Sequence, residues 1–478
     1  MCGIVGIVSS ADVSYSLFYA LYALQHRGQD SAGIVTFVTT DDDPRMMTHR
    51  DPGLVSSVFQ EDILNGLKGT VGIGHVRYPT TRSRATEESR IPDKSRTTEN
   101  VQPFFFTFKN HHIALALNSN ISNYWILRDK FEEEGQIFST NSDTEIISKI
   151  IIDELLQDRT IEDAVRRCML IIEGAYSVVL LIDGELYAFR DPCGFRPLGF
   201  GKRAENEVII ASESVAIEGI GGTFERDILP GEMIHVEKSG TIRFVECAKA
   251  ERRAHCIFEY IYFARSDSVI DGTLVYDVRR SIGSSLAREA PVDADIVCTI
   301  PDSGTAYAVG YAEQSKISFV ECLIKNRYVG RTFIMPTQEK REDAVHIKLN
   351  PICQHARDRS IILIDDSIVR GTTSRRIVES VQNAGAAEVH MRIGSPIIKA
   401  PCFFGINMQK REDLIGSTKE CEDIRKEIGA TSLHYASFDA VVNAIGIAEP
   451  DLCTGCVTGM YPFPVEGEAC CQRAIQYM

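Results

Sequence analysis

The stretch RSIILIDDSIVRGTTSRRIVESV, residues 359–381, constrains the fold more than any other part of the chain. The apolar run from Ile361 to Ile364, bounded by polar residues, reads as a short buried strand. It runs into two carboxylates, Asp365 and Asp366, then a loop rich in hydroxyls and glycine, then a helical pattern through SRRIVESVQNAGA. A strand that passes through a tight loop into a helix belongs to a βαβ unit of a parallel sheet. Ligands of such sheets bind at the carboxyl ends of the strands. The backbone N–H groups of Arg370, Gly371, Thr372 and Thr373 would stand at a helix N-terminus, where the helix dipole favours a phosphate. Asp365 and Asp366 suit ribose hydroxyls or the water shell of Mg²⁺.

The surrounding segments extend the pattern. ADIVCTIP, a helix through AYAVGYAEQ, SFVECLI and VHMRIGSP continue the alternation of strand and helix, predicting a parallel-sheet domain over 255–410. From about Arg411 the chain reads as mostly helical and ends in a Cys- and Gly-rich tail, 411–478. The first half differs. GIVGIV, SAGIVTF, TVGIGHV, HIALAL, YSVVLLI, ELYAFR and EVIIAS are short strands, interrupted by helices around Val13 to Gln25 and Asp143 to Leu156. Ser and Asp ahead of the second apolar run form an N-cap signal. Sheets packed face to face and covered by helices are expected over 2–240. Pro230–Glu232 and the charged stretch Ala248 to Ala254 mark the boundary region.

A length of 478 residues allows two or three domains, and no apolar run is long enough to span a bilayer. The net charge of −15 argues against nucleic-acid or membrane-surface binding, which needs a basic patch. Fourteen cysteines scattered along the chain, with no secretion signal, predict a reducing cytoplasmic setting. The opening MCGIVG leaves two readings: a buried first strand, or an N-terminal nucleophile whose α-amine serves as general base once Met1 is removed. CTGC, with Cys453 and Cys456, is a metal or redox half-site.

The DDSIVRGTTS motif resembles the phosphoribosyl-pyrophosphate motif of type I phosphoribosyltransferases. IPDSGTAYA is similar to the pyrophosphate loop of that fold, and KNRYVGRTFIMP to its flexible loop. The resemblance implies phosphoribosyl-pyrophosphate binding by Lys325, Arg331, Asp365, Asp366, Ser367, Arg370, Gly371, Thr372 and Thr373, with Arg327 in the same loop. It implies Mg²⁺ held by Ser303, Asp365 and Asp366.

In the first half, MCGIVG, QHRGQDSAG, GHVRYPT and NSDTE together resemble the class II glutamine amidotransferase domain, an N-terminal nucleophile α/β/β/α sandwich. That implies Cys2 as nucleophile, Arg77 on the glutamine carboxylate and Asp143 on its ammonium. Asn118 and the neighbouring Ser119 would form the oxyanion segment.

Joined by FEYIYFARSDS, the halves are similar end to end to the phosphoribosyl-pyrophosphate amidotransferase family. The family resemblance implies glutamine hydrolysis, ammonia channelling, and formation of phosphoribosylamine, pyrophosphate and glutamate in the first step of purine synthesis. It also implies a homotetramer or homodimer inhibited by purine nucleotides. One branch of the family carries a [4Fe–4S] cluster, and Cys256, Cys402, Cys453 and Cys456 match its ligand positions, with zinc as the other candidate.

Four segments depart from the family pattern. LNSN has Ser119 where glycine is usual in H-N-G-N, and Thr81 and Arg82 stand where Ala-Gly is usual. Ser266 replaces a proline and Asn407 an aspartate. The departures at the glutamine site keep open an ammonia-dependent phosphoribosyltransferase with impaired glutaminase. A non-catalytic regulator that binds phosphoribosyl pyrophosphate is the third reading.

Overall fold

The computed structural model describes residues 1–38, 44–78, 100–204, 206–250, 252–326, 349–408 and 410–465, with the backbone of 469–470. The first strand, Gly3–Val8, lies at the heart of a seven-stranded antiparallel sheet. In spatial order that sheet runs Thr223–Asp227, Gly199–Ala204, Glu207–Ala211, Gly3–Val8, Val71–Arg77, Ser31–Val38 and Arg45–Pro52. Every residue of GIVGIV is buried because both faces are covered. Val5 and Ile7 pack with Leu17 and Leu21 of the helix Ser14–Ala23, whereas Ile4 and Val8 face the second sheet. This double coverage explains a continuous apolar run in place of alternation.

The second sheet is also antiparallel, in the order Ile242–Glu246, Glu232–Val236, Glu185–Arg190, Gly174–Ile182, His111–Ile121 and Phe104–Phe108. Ala114, Ala116, Val179 and Leu181 meet Ile4, Val35 and Ile73 between the two sheets. Its outer face carries Leu115, Leu117 and Val178 against the helices Tyr124–Glu133, Asp143–Leu156 and Ile161–Ile171. The first half is thus the expected four-layered α/β/β/α sandwich.

The second half holds a parallel sheet in the order Ile296–Thr299, Ser360–Asp365, Glu388–Ile393 and Ser432–Tyr435. Its last strand comes from the 411–478 stretch, whose sequence pattern reads as mostly helical. Of SFVECLI, expected as a full strand, Phe319 makes a single bridge to Val297 and the regular strand is Leu323–Lys325. The two halves share one apolar cluster, in which Met1, Ala175 and Phe195 pack with Phe258, Ile261, Tyr307 and Phe404. No helix among the described residues is long and apolar enough to cross a membrane.

Candidate active site

Gly3 pairs with Val76, so Cys2 lies beside the end of the strand Val71–Arg77. The Cys2 N–H donates to Asn118 Oδ1 at 3.0 Å, and the Tyr78 N–H donates to the Cys2 thiol at 3.5 Å. Asn118 is 2% exposed, and its side-chain N–H₂ is buried with no acceptor among the described residues. Burial pushes the Cys2 thiol up, but His75, the N-terminal charge and the Tyr78 N–H together bring it down to about 6. His75 is fully buried, with Nε2 against the Leu117 carbonyl at 3.1 Å. Sequence reasoning passes over His75, since within GHVRYPT it reads as one more residue of a strand.

The next residue on the Asn118 strand is Ser119, opposite Tyr176 in the ladder and with no positive φ. A serine in place of glycine is therefore unstrained here. Its hydroxyl donates to Asp143 Oδ2 at 2.9 Å, and the Ile121 N–H donates to the same oxygen at 3.2 Å. Asp143 opens the helix Asp143–Leu156, whose N-cap Ser142 accepts from the Thr144 N–H at 3.3 Å. Cys2, Asn118, Ser119 and Asp143 thus form one connected group.

Arg77 ends the strand that carries His75, and its carbonyl accepts from the Asp30 N–H at 3.1 Å. A Cβ on Gly28 would stand 2.5 Å from the Arg77 carbonyl carbon, so only glycine lets the RGQ loop press against it. Thr81 and Arg82 lie outside the described residues.

In the parallel sheet, Asp365 and Asp366 are buried at the carboxyl end of Ser360–Asp365. The Asp366 N–H donates to Asp365 Oδ1 at 2.9 Å, and the Ser367 hydroxyl to Asp366 Oδ1 at 2.5 Å. Burial and then the Asp366 charge push Asp365 well above the ordinary carboxylate range. Asp366 is raised by burial, against hydrogen bonds from Ser303 and Ser367 and the charge of Arg279. Ser303, Asp365 and Asp366 are therefore gathered as the sequence implies. Two adjacent buried carboxylates and a hydroxyl form an oxygen donor set that a divalent cation would neutralise.

Gly371, at φ +76°, turns the chain into the helix Thr372–Asn383, whose first turn has no side-chain cap. Its leading N–H groups are thus left for a ligand, with Thr372, Thr373 and Arg370 exposed beside them. Arg370 is paired with Asp413 at 2.9 Å. Lys325 Nζ reaches Asp302 Oδ2 of the pyrophosphate-loop segment at 2.6 Å. Arg327 and Arg331 lie outside the described residues.

Cys256, Cys402, Cys453 and Cys456 are buried free thiols. Cys256 pairs in register with Cys453 through the parallel bridge of His255–Cys256 with Leu452–Cys453. The Cys456 carbonyl accepts from the N–H groups of Lys399 and Ala400, just ahead of Cys402. Burial, and then neighbouring cysteine charges, push Cys453 and Cys456 well up, whereas burial chiefly takes Cys256 to about 11. Among the described residues, no three of His, Cys, Asp and Glu stand at the spacing of a bound ion. The donor set, four soft sulfurs in one apolar neighbourhood, is nevertheless the chemistry of an iron–sulfur or zinc site. Asn120, two residues beyond Asn118, donates to the carbonyl of Phe403 beside Cys402. The structure also joins Cys298 to Cys322 in a buried disulfide, a pairing that no spacing in the sequence marks.

A family described as glutamine amidotransferase domain matches residues 89–219. The chain is 48% identical over 470 residues to an amidophosphoribosyltransferase of Methanothermobacter thermautotrophicus, covering 98% of this chain and 95% of that protein. It is 40% identical over 472 residues to the amidophosphoribosyltransferase of Bacillus subtilis, covering 96% and 94%. The solved glutamine phosphoribosylpyrophosphate amidotransferase from B. subtilis, complexed with ADP and GMP, superposes with a TM-score of 0.87 at 39% identity, over 98% of each chain. With the sandwich, the parallel sheet and near-complete coverage in agreement, the chain belongs to the amidophosphoribosyltransferase family.

Proposed function

We propose that this chain runs the family's reaction, transfer of the glutamine amide nitrogen to phosphoribosyl pyrophosphate at the head of purine synthesis, with the residues gathered above. The observation that supports this best is the Asn118 side chain: its oxygen takes the Cys2 N–H while its buried N–H₂ has no acceptor among the described residues. A buried unsatisfied donor beside a nucleophile is costly unless a developing oxyanion uses it.

Once Met1 is removed, the Cys2 sulfur attacks the glutamine side-chain amide, and Asn118 Nδ2 donates to the tetrahedral oxyanion that forms. The Cys2 α-amine relays the thiol proton to the departing ammonia, leaving a γ-glutamyl thioester that water hydrolyses to glutamate and free Cys2. The Ser119 N–H would be the neighbouring donor of this segment, but its hydroxyl serves Asp143. Arg77 binds the glutamine carboxylate and Asp143 its ammonium. Ammonia passes to the second site through the apolar contact between the halves, away from water that would protonate it. There Asp365 and Asp366 hold the ribose. The helix N-terminus at Arg370, Gly371, Thr372 and Thr373, with Ser367, cradles the 5′-phosphate, and Lys325 and Arg331 meet the pyrophosphate. Mg²⁺, held by Ser303, Asp365 and Asp366, would neutralise the pyrophosphate leaving group. Cys256, Cys402, Cys453 and Cys456 would hold a [4Fe–4S] cluster in a structural role. Purine nucleotides are proposed as inhibitors, in line with the ADP and GMP of the B. subtilis complex.

The test supplies phosphoribosyl pyrophosphate and Mg²⁺ with either glutamine or ammonium, and measures pyrophosphate and glutamate. Turnover with both nitrogen sources is expected, and Cys2→Ser keeps only the ammonium reaction. Turnover with ammonium alone in the wild type would instead establish the impaired glutaminase. Iron and acid-labile sulfide near four each per chain in anaerobically prepared protein are expected for the cluster; zinc alone would overturn it.

A further inference from the structure

The mechanism above leaves unused a buried charge cluster next to Cys2. Arg27, in QHRGQDSAG, is fully buried. Its Nε donates to the Cys2 carbonyl at 3.0 Å. Its Nη1 donates to Glu213 Oε1 at 2.5 Å and to Glu259 Oε2 at 3.0 Å, and Nη2 to Glu259 Oε1 at 2.7 Å. Glu213 also takes His26 at 2.7 Å, the Arg265 N–H at 2.9 Å and the Ser268 hydroxyl at 2.5 Å. Arg196 Nη1 lies 3.8 Å from Glu259 Oε1.

Stability alone is a poor reason for such a cluster, because well-packed apolar residues often replace buried ion pairs at no loss. Its geometry points elsewhere. Of the five N–H groups of the guanidinium, three go to the two carboxylates, and of the two that remain the Nε–H takes the carbonyl of the proposed nucleophile. We propose that Arg27 is a positioning residue of the glutaminase reaction: it fixes the Cys2 backbone and sets the local charge that poises its thiol and α-amine, with Glu259 as the opposing charge. This rests on the reading of Cys2 as nucleophile.

The groups facing Cys2 and the N-terminus are His75 from the strand Val71–Arg77, Arg27 with Glu213 behind it, Arg196, and Glu259 from the domain junction. With Met1 in place, the N-terminal ammonium is already pushed well below its usual value. Burial is the largest cause; Arg196 and Arg27 act in the same direction, and Cys2 and Glu259 against it.

The cluster also reaches the second half. Glu259 opens a wide π-type turn, Glu259–Phe263. Arg279 donates to the Tyr260 carbonyl at 2.8 Å, and its charge bears on Asp366. The Tyr307 hydroxyl donates to the Ile261 carbonyl at 2.9 Å, and the Phe263 ring stands edge-on to Tyr78 at 5.7 Å.

The test follows glutamine-dependent kcat and KM against pH in Arg27→Gln, Arg27→Lys and Glu259→Gln, with ammonium-dependent synthesis as the internal comparison and Cys2→Ser as control. Removing the cation raises the pKa values of the thiol–amine pair, and removing the anion lowers them. Arg27→Gln should therefore move the acid limb of the profile up by about half a pH unit and Glu259→Gln should move it down by a similar amount. Arg27→Gln should also cut glutamine-dependent kcat by about tenfold or more, with glutamine KM changed less than about threefold. Arg27→Lys should restore the acid limb but only part of kcat. An unmoved limb, shifts of the same sign in the two variants, or parallel loss of glutamine and ammonium activity would each overturn the proposal while leaving Cys2 as nucleophile. If Arg27→Gln does not fold, Glu259→Gln and Arg27→Lys decide by the same limbs. Glutamine use that survives Cys2→Ser would overturn the nucleophile reading itself, and this proposal with it.

Discussion

The hydroxyl of Ser119 donates to Asp143 at 2.9 Å, so the serine that departs from the family's glycine is tied to the carboxylate proposed to hold the glutamine ammonium. Hydrogen bonds to charged groups contribute about 1.5–3 kcal/mol. Ser119→Ala should raise glutamine KM by roughly tenfold and leave kcat within about twofold, while Ser119→Thr keeps most of the affinity. Steady-state kinetics with glutamine and with ammonium check this. A fall in KM on loss of the hydroxyl would show that Ser119 obstructs the substrate.

Asn118 makes a different prediction, because its buried N–H₂, without an acceptor among the described residues, is proposed to act only in the transition state. Asn118→Ala should lower glutamine-dependent kcat by about 10²–10³ with little change in KM. Ammonium-dependent synthesis in the same preparation should fall far less.

Glu213 gives a prediction for stability against pH. Burial pushes its carboxyl up, but His26 and Arg27 outweigh that and hold it well below the ordinary range. With the folded value depressed, its stabilisation is complete above the unfolded value near 4.5 and is lost as pH falls towards the folded value. Glu213→Gln should cost about 3 kcal/mol at pH 7, and the difference from wild type should shrink below about pH 4.5. Denaturant unfolding across that range measures it.

The Cys298–Cys322 disulfide closes a loop with a sequence separation of 24. Loop-closure entropy for that length is worth about 3 kcal/mol. A thiol-free reductant should lower the Tm of the wild type by several degrees and leave that of Cys298→Ala/Cys322→Ala unchanged. Non-reducing peptide mapping should show the two cysteines joined.

What the sequence made legible was whatever physical chemistry writes locally. The helix Asp143–Leu156 is visible from its cap and its apolar period, and the acidic phosphate loop from a strand that ends in two carboxylates. The four layers of the first half follow from strands with too many buried residues for one covered face. The contacts that organise the glutamine site are a different matter. Arg27 meets Glu213 across 186 positions and Glu259 across 232, and neither pairing leaves a periodic trace. His75 carries no mark in GHVRYPT that separates it from a core histidine, and the partner of Cys298 is a matter of tertiary packing. Ser119 shows the opposite case, where a residue-by-residue departure is visible but its backbone conformation and acceptor are not.

The turn Glu259–Phe263 has a consequence for how this chain can diverge. Four of its five residues answer at once to Arg27, Arg279, Tyr307 and Tyr78, each at a different atom. A side chain there can be exchanged one contact at a time, but an inserted or deleted residue would put every later contact out of step. Its length should therefore be held fixed among descendants of this sequence while surface loops lengthen and shorten around it.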